Sequence, residues 1–211
     1  MEHKGVSKLV LKRLPSYLSY LKNMPDGGSA YISATSLATA LGLGDVQVRK
    51  DLALVSDGGR PKVGYLREKL IEDISQFLGY DNTTDAILVG AGKLGQALLG
   101  YIGFDAYGLN ILAAFDQNPS PDWNDEKPIY SMDKLENFCS NNKILMGIIT
   151  VPAEHAQVVC DQMIASGIKA IWNFAPVHLE VPSNILVQNE NMATSLAVLS
   201  MHLQAQMKDQ R

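Results

Sequence analysis

Residues 90 to 95 read Gly-Ala-Gly-Lys-Leu-Gly, the spacing G-x-G-x-x-G, and an acidic residue, Asp116, stands about twenty residues beyond the last glycine. Such a turn serves a dinucleotide. Gly90 permits a sharp reversal, Gly92 lets the backbone approach a pyrophosphate, and Gly95 lets the following helix pack close to its strand. Ala91, Lys93 and Leu94 complete the turn, whose amides and helix N-terminus carry donors and partial positive charge for a diphosphate. The Asp116 carboxylate would accept both hydroxyls of an adenosine ribose and repel a 2′-phosphate, so the expected cofactor is NAD(H) rather than NADP(H).

Two further segments end where such a ligand would lie. "KILMGIIT" runs into Thr150, Val151 and Pro152, and "IKAIWNFAPV" ends in Asn173, Phe174 and Ala175. Thr150, Val151, Pro152, Phe174 and Ala175 are expected to line one apolar nicotinamide pocket. The oxidised ring is positively charged and the reduced ring neutral, so an uncompensated apolar lining favours NADH. A dehydrogenase also needs an acid or base beside the nicotinamide. His155 is expected at the surface, one turn into a helix, while His178 and His202 show no partners, so no catalytic residue is assigned. The pattern fits a sensor better than an enzyme; a small NAD-dependent oxidoreductase with a helical appendage is the rival. Cys139 and Cys160 have neither metal-ligand spacing nor the number for a disulfide framework, and no metal is expected.

The elements that must position these residues follow from periodicity. "AILV" at 86–89 and "ILAAF" at 111–115 are apolar runs suited to buried parallel strands, so the fold class is α/β with a doubly wound Rossmann sheet. Before them, "SKLVLKRLPSYLSYLKNM" spaces Leu14, Leu18 and Leu21 along one helical face, with Pro15 expected to begin or kink its second part. Ser33 can cap a helix carrying Leu37 and Leu41; "GLG" breaks the chain; Asp45 is expected to cap a second helix with Val48 and Leu52 inward. Gln47, Arg49 and Lys50 then point outward, the organisation of a helix-turn-helix whose second helix enters the major groove, where Gln can pair with adenine. "SDGGRPKVGY" reads as a wing carrying Arg60 and Lys62 to phosphates or the minor groove. A three-helix packing module and a surface loop are the plainer readings of these two stretches. Residues 66–79 follow as an amphipathic connecting helix, and "GYDNTTD" marks a domain boundary.

Charge divides the 211-residue chain in the same place. Residues 1–67 hold 10 Lys and Arg against 5 Asp and Glu, whereas residues 68–211 hold 8 against 17. A basic head on an acidic body suits a polyanionic partner for the head. With 46% hydrophobic and 19% charged residues and mean hydropathy near zero, the composition is that of a globular protein. No apolar run approaches a membrane span and the start lacks a signal-peptide pattern, so a cytoplasmic protein is expected. Near the end, Met192, Leu196, Leu199 and Leu203 form an apolar helical stripe that must be covered, most simply in an isologous homodimer.

Taken together, "RLPSYLSYL", "QVRKDLALV", "VGY", "VGAGKLGQALLGYIGF", "AAFD", "TVPAEHAQ" and "GIKAIWNFAPVHLEVP" resemble the Rex-type redox-sensing transcriptional repressors of bacteria over nearly the whole chain. The resemblance implies a homodimer: a winged helix-turn-helix domain at 1–80, a Rossmann domain at 81–190, and a last helix at 191–211 exchanged between subunits. It implies binding to palindromic double-stranded operator DNA when NADH is scarce, and release when NADH binds. It also places Tyr101 beside the cofactor. This chain departs from the family pattern in three places. The wing lacks an Arg-Gly just before "VGY"; Ser19 and Asn191 stand where an Arg and an Asp can pair around the tyrosine; and Met192 replaces an aromatic residue. A constitutive DNA-binding protein whose nucleotide only stabilises the dimer is a third reading.

Overall fold

A computed structural model describes residues 6–25, 29–119 and 126–209. The chain forms two compact units, residues 1–82 with 106–108, and residues 83–105 with 109–211.

The first unit begins with α1 (Lys8–Lys22), capped by Ser7, whose hydroxyl accepts the Val10 amide. Val10, Leu14, Tyr17, Leu18 and Leu21 form its buried stripe. The helix runs uninterrupted through Pro15 rather than starting anew there. The proline costs one backbone bond, and a five-residue apolar stripe offsets it. Strand β1 (Tyr31–Ile32) leads to α2 (Ala34–Leu41), where Ser33 caps as expected, accepting the Ser36 amide at 2.9 Å. Helix α3 (Asp45–Val55) buries Val48, Asp51 and Leu52.

The expected cap at Asp45 is corrected here. Gly44 holds the N-cap position without a side-chain bond, and Asp45 is the first helical residue. Its carboxylate sits at the positive end of the helix and accepts from Thr35 Oγ1 at 2.7 Å and Arg49 Nη2 at 2.8 Å.

Strand β2 (Tyr65–Leu66) pairs antiparallel with β1, Tyr31 opposite Leu66. Just before it, Arg60 and Gly64 exchange both backbone hydrogen bonds at 2.9 Å, closing a tight turn that holds Lys62 at φ +65°. Helix α4 (Arg67–Leu78) then packs Leu70 and Ile74 into the same core as Leu14, Leu18, Leu37 and Leu52.

The second unit is a six-stranded parallel sheet. Its strands are β3 (Thr84–Val89), β4 (Leu109–Asp116), β5 (Ile129–Ser131), β6 (Met146–Ile149), β7 (Ala170–Asn173) and β8 (Leu186–Asn189). Their order is β5-β4-β3-β6-β7-β8, with every neighbour parallel. Numbered within the sheet this is 3-2-1-4-5-6, the doubly wound dinucleotide-binding order, with its switch point between β3 and β6. The interior strands are apolar because both faces are covered. Ile87, Val89, Phe115, Ile149 and Ile171 face α6 (Leu135–Asn142) and α7 (Ala153–Ala165). Ala86, Leu88, Ile111, Ala114 and Ile148 face α5 (Lys93–Leu99). The tail is α8 (Met192–Asp209), on which Met192, Leu196, Leu199 and Leu203 are each more than half exposed.

Candidate functional site

The cleft forms at the carboxyl ends of β3, β4 and β6. Gly90 has φ +102°, and a Cβ there would press on Val151 Cγ1 at 2.7 Å and on the Thr150 carbonyl. A Cβ on Gly95 would collide with the Gly90 carbonyl oxygen, while one on Gly92 would meet nothing within 4 Å. The first and third glycines therefore let the strand, turn and helix close on one another. The second leaves its backbone bare towards open space, where a bulky ligand can approach.

Side chains lock this turn. Thr150 Oγ1 donates to the Gly90 carbonyl at 2.7 Å and lies 3.1 Å from that of Val89; Gln96 Nε2 donates to the Ala91 carbonyl at 2.9 Å. Asp116 Oδ2 accepts the Ala91 amide at 2.7 Å, and Oδ1 accepts that of Asn118 at 2.8 Å. This corrects the role expected of Ala91: its amide is taken by Asp116, so the turn rather than a phosphate receives it. The carboxylate keeps further lone pairs for ribose hydroxyls and is fixed in place before any ligand arrives.

The cleft measures about 390 Å³, with Gly90, Gly92, Asp116, Thr150, Val151 and Pro152 in its wall. A backbone cradle beside a fixed carboxylate fits an adenosine diphosphate group without a 2′-phosphate. His155, Met132 and Val158 also line it, none of which the motif spacing predicts. The signal was available for His155, which follows Pro152 by less than one helical turn. Lys93 and Leu94 are exposed at the start of α5.

The single apolar pocket expected around Thr150, Val151, Pro152, Phe174 and Ala175 is not observed. Side chains alternate across a strand. Ile171, Asn173 and Ala175 point to the α6–α7 face, whereas Trp172 and Phe174 point to the α5 face. Ala175 is buried in the core, and Asn173 is fully buried. The Asn173 amide accepts from Ala175 N at 3.0 Å and donates to Val177 O at 3.0 Å and Asn189 Oδ1 at 2.9 Å. Its polar atoms are engaged in holding the loop after β7, so Asn173 positions that loop instead of presenting groups to a ligand.

Phe174 lines a second cavity of about 430 Å³ with Leu98, Tyr101, Phe104, Trp172 and Met192. The rings touch in series: Tyr101 to Phe104 at 4.9 Å, Phe104 to Trp172 at 5.8 Å, Trp172 to Phe174 at 4.8 Å between centroids. Glu190 supplies the carboxylate at its edge, accepting the Trp172 indole N–H at 2.8 Å. Elsewhere in this unit, Cys139 and Cys160 are free and buried. Burial pushes both thiols up to about 11, with Asp161 adding to the effect at Cys160. Among the described residues no group of three or more His, Cys, Asp or Glu side chains could hold a metal ion, and no helix is long and apolar enough to cross a membrane.

In the first unit, Gln47, Arg49 and Lys50 are exposed on α3, with Arg60 and Lys62 exposed on the tight turn. Arg49 pairs with Asp45 one helical turn earlier, which orients the guanidinium at little energetic cost in so exposed a place. Beneath them lies a polar cluster that the periodicity did not reveal. Arg13 Nε and Nη2 clasp the Asp51 carboxylate at 2.8 and 2.9 Å, and the Tyr17 hydroxyl donates to it at 2.8 Å. Burial, with Asp51 adding to it, pushes the Tyr17 phenol up to about 12. Asp51 reads as one more charge in "RKDL", and only the approach of α1 shows that it points inward.

Comparison with known proteins agrees with both units. Residues 5–53 match the family described as putative DNA-binding protein N-terminus, and residues 81–177 match the CoA binding domain family. The redox-sensing transcriptional repressor Rex of Bacteroides fragilis is 40% identical over 204 residues, covering 94% of this chain and 93% of that protein. That of Treponema denticola is 41% identical over 191 residues, covering 90% and 91%. The crystal structure of RSP in complex with β-NAD+ and operator DNA superposes with a TM-score of 0.87 at 33% identity, over 97% of this chain and 95% of that one. RSP in complex with β-NADH gives 0.86 at 33% identity, over 99% and 100%. Identity and structural likeness both extend across the helical head and the dinucleotide-binding body: this chain belongs to the Rex family of redox-sensing transcriptional repressors.

Proposed function

We propose that the chain is an NAD(H)-responsive repressor that acts as a homodimer, grips operator DNA when NADH is scarce and lets go when NADH binds. One observation carries the reading. A single chain holds a glycine cradle beside the Asp116 carboxylate in one unit, and exposed Gln47, Arg49 and Lys50 on the second helix of a helix-turn-helix in the other. RSP, a Rex-family repressor, has been seen with each of the corresponding ligands.

The turn from Gly90 through Gly92, Lys93 and Leu94 to Gly95 receives the pyrophosphate, and Asp116 the adenosine ribose. Thr150, Val151 and Pro152 border the nucleotide, and the Tyr101 and Phe174 cavity takes part in sensing its nicotinamide end. When bound, the cofactor supplies a redox-dependent charge: the oxidised ring is positive and the reduced ring neutral. An aromatic lining receives the neutral ring at the lower desolvation cost. Arg49 and Lys50 reach base edges or phosphates in the major groove, and Arg60 and Lys62 carry the wing's charge to the backbone.

The dimer reading rests on two complementary surfaces. Leu196, Leu199 and Leu203 leave an apolar stripe open on α8. On the sheet face that α5 covers, Trp172 and Phe174 stay partly accessible, because the chain passes from β7 to β8 without a helix. An exchanged α8 would bury both.

Fluorescence anisotropy of a labelled palindromic duplex, titrated with NADH and NAD+ at fixed salt, tests the function. NADH is expected to release the duplex at concentrations where NAD+ does not. Operator affinity that stays flat across both titrations would leave a constitutive DNA-binding protein, and turnover of NADH with a carbonyl substrate would leave an oxidoreductase.

A further inference from the structure

The ion pair inside the first unit also dictates how one base-reading residue faces the DNA. Because Asp51 holds Nε and Nη2 of Arg13, and Tyr17 holds Asp51, the guanidinium plane has one orientation. Its remaining nitrogen, Nη1, meets Gln47, which precedes Asp51 by four residues on α3 and so occupies the same side of the helix. One end of the Gln47 amide lies 2.9 Å from Nη1 and 3.0 Å from Nε, and it is the oxygen that satisfies both groups there. A guanidinium carries donors and no acceptor, so the amide turns its oxygen to Arg13 and its nitrogen outward.

We propose that Arg13 presets Gln47 as a donor-only reader of the major groove, one that favours guanine over adenine. Pairing of glutamine with adenine needs both ends of the amide at the base edge, the oxygen accepting from N6 and the nitrogen donating to N7. Here the oxygen is committed to Arg13 and faces α1. What remains for DNA is an NH2 group. Guanine presents two adjacent acceptors, N7 and O6, to such a group, whereas adenine sets its own N6 donor beside N7. This revises the adenine contact expected from the sequence, and Arg13 becomes a positioning residue: it acts on base choice through Gln47 without touching the base. The inference rests on α3 being the DNA-reading helix.

Selection of bound duplexes from a library randomised across the operator tests it with the full-length protein. Gln47 is exposed, so Gln47→Ala and Gln47→Glu leave the Arg13–Asp51 pair intact. Wild type is expected to enrich guanine at one position per half-site, and Gln47→Ala to lower the guanine-to-adenine ratio there roughly tenfold while the other positions hold. Gln47→Glu keeps an oxygen on Arg13 but offers the groove an acceptor, so cytosine or adenine should replace guanine at that position. Arg13→Lys, with its melting followed in parallel, frees the amide oxygen and should raise adenine at the same position. A uniform loss of affinity with unchanged base choice would reduce Arg13 to a structural residue. Adenine at that position in wild type, or no position that responds to Gln47→Ala, overturns the proposal. Enrichment of no duplex by wild type, with NADH binding retained, instead removes the reading of α3 on which it rests.

Discussion

The two ligand-facing regions of this molecule are built on opposite rules. The nucleotide cleft is made by leaving side chains out: Gly90 and Gly95 sit where a Cβ would strike the neighbouring backbone, and Gly92 sits where one would block the approach to it. The α3 face is made by adding side chains to a solid base, with Gln47, Arg49 and Lys50 exposed above buried Val48, Asp51 and Leu52. A site of absent atoms is broken by enlargement, and a site of projecting atoms by truncation. The contrast also separates what each can report. A backbone cradle recognises a shape and a charge common to many nucleotides, whereas long side chains can be exchanged one at a time to change a base preference.

The largest effect should follow from Gly95→Val. Its added carbons meet the Gly90 carbonyl and Thr150 Oγ1, so the turn must open or α5 must move. NADH binding should be abolished in a calorimetric titration, with a cost to the second unit of about 3 kcal/mol from overpacking. Operator binding should persist and become insensitive to NADH. Normal NADH affinity in this variant would show that the glycine turn is not the cradle.

The counterpart in the first unit is Asp51→Ala. It leaves Arg13 and the Tyr17 hydroxyl without their acceptor in a place only 5% accessible at the Asp51 side chain. Breaking a buried pair from one side costs about 3 kcal/mol, read as a lower denaturant midpoint for the first unit. DNA affinity should fall with it, since α3 loses its tie to α1, while the nucleotide affinity of the second unit holds.

These two sites were not equally legible in the sequence. The glycine turn and Asp116 announce themselves because their spacing is dictated by the covalent chain: three glycines within six residues can only serve a local turn, and the acid follows at the next strand end. The cores of α1 to α4 were legible for a similar reason, since Leu14, Leu18, Leu37, Val48, Leu52 and Leu70 obey a local period. The Arg13–Asp51–Tyr17 cluster was not, because it joins residues 34 or more positions apart and each looks like ordinary surface charge or helix filler by itself. Phe174 and Ala175 failed differently. Strand ends that converge on one crevice predict a single lining for both, although the pleat that continues from β7 sends neighbours to opposite faces. Convergence of strand ends locates a crevice without saying which side of the sheet each side chain enters.

Alkaline pH should separate the two units by a different chemistry. A buried phenol or thiol is stabilised in its neutral form, so its folded pKa lies above its unfolded one. The associated stability is fully present below the unfolded value and is lost as pH rises through the folded value. For Cys139 and Cys160 that window runs from 9 to about 11, and for Tyr17 from 10 to about 12. The second unit should therefore begin to weaken at lower pH than the first. A paired Cys139→Ala and Cys160→Ala variant, followed by circular dichroism against pH, should lose the earlier phase and keep the later one.

Arg49→Ala tests the truncation rule on α3 alone. Its pair with Asp45 is exposed, so stability should change by no more than about 0.5 kcal/mol. Operator binding should weaken by about 1 to 3 kcal/mol if the guanidinium reaches a base, with relaxed preference at that base. Unchanged operator affinity would move the reading surface away from the centre of α3.

The smallest and most discriminating change is Lys62→Gly, because here the two rules pull in opposite directions within one residue. Lys62 holds φ +65° at the tip of the turn closed by Arg60 and Gly64, a conformation that costs a side-chain-bearing residue about 1 kcal/mol. Glycine removes that strain, although it also adds freedom to the unfolded chain, so the first unit should be unchanged or more stable by up to about 1 kcal/mol. The cation is lost at the same time. If Lys62 neutralises a phosphate, operator affinity should fall evenly across sequences, and the slope of log affinity against log salt should become shallower by about 1. A stabilised unit with a shallower slope would show that the left-handed lysine is kept for DNA at the expense of the fold. A variant that gains stability with its salt slope intact would leave Lys62 off the DNA and hand the wing's charge to Arg60 alone among the two cations of that turn.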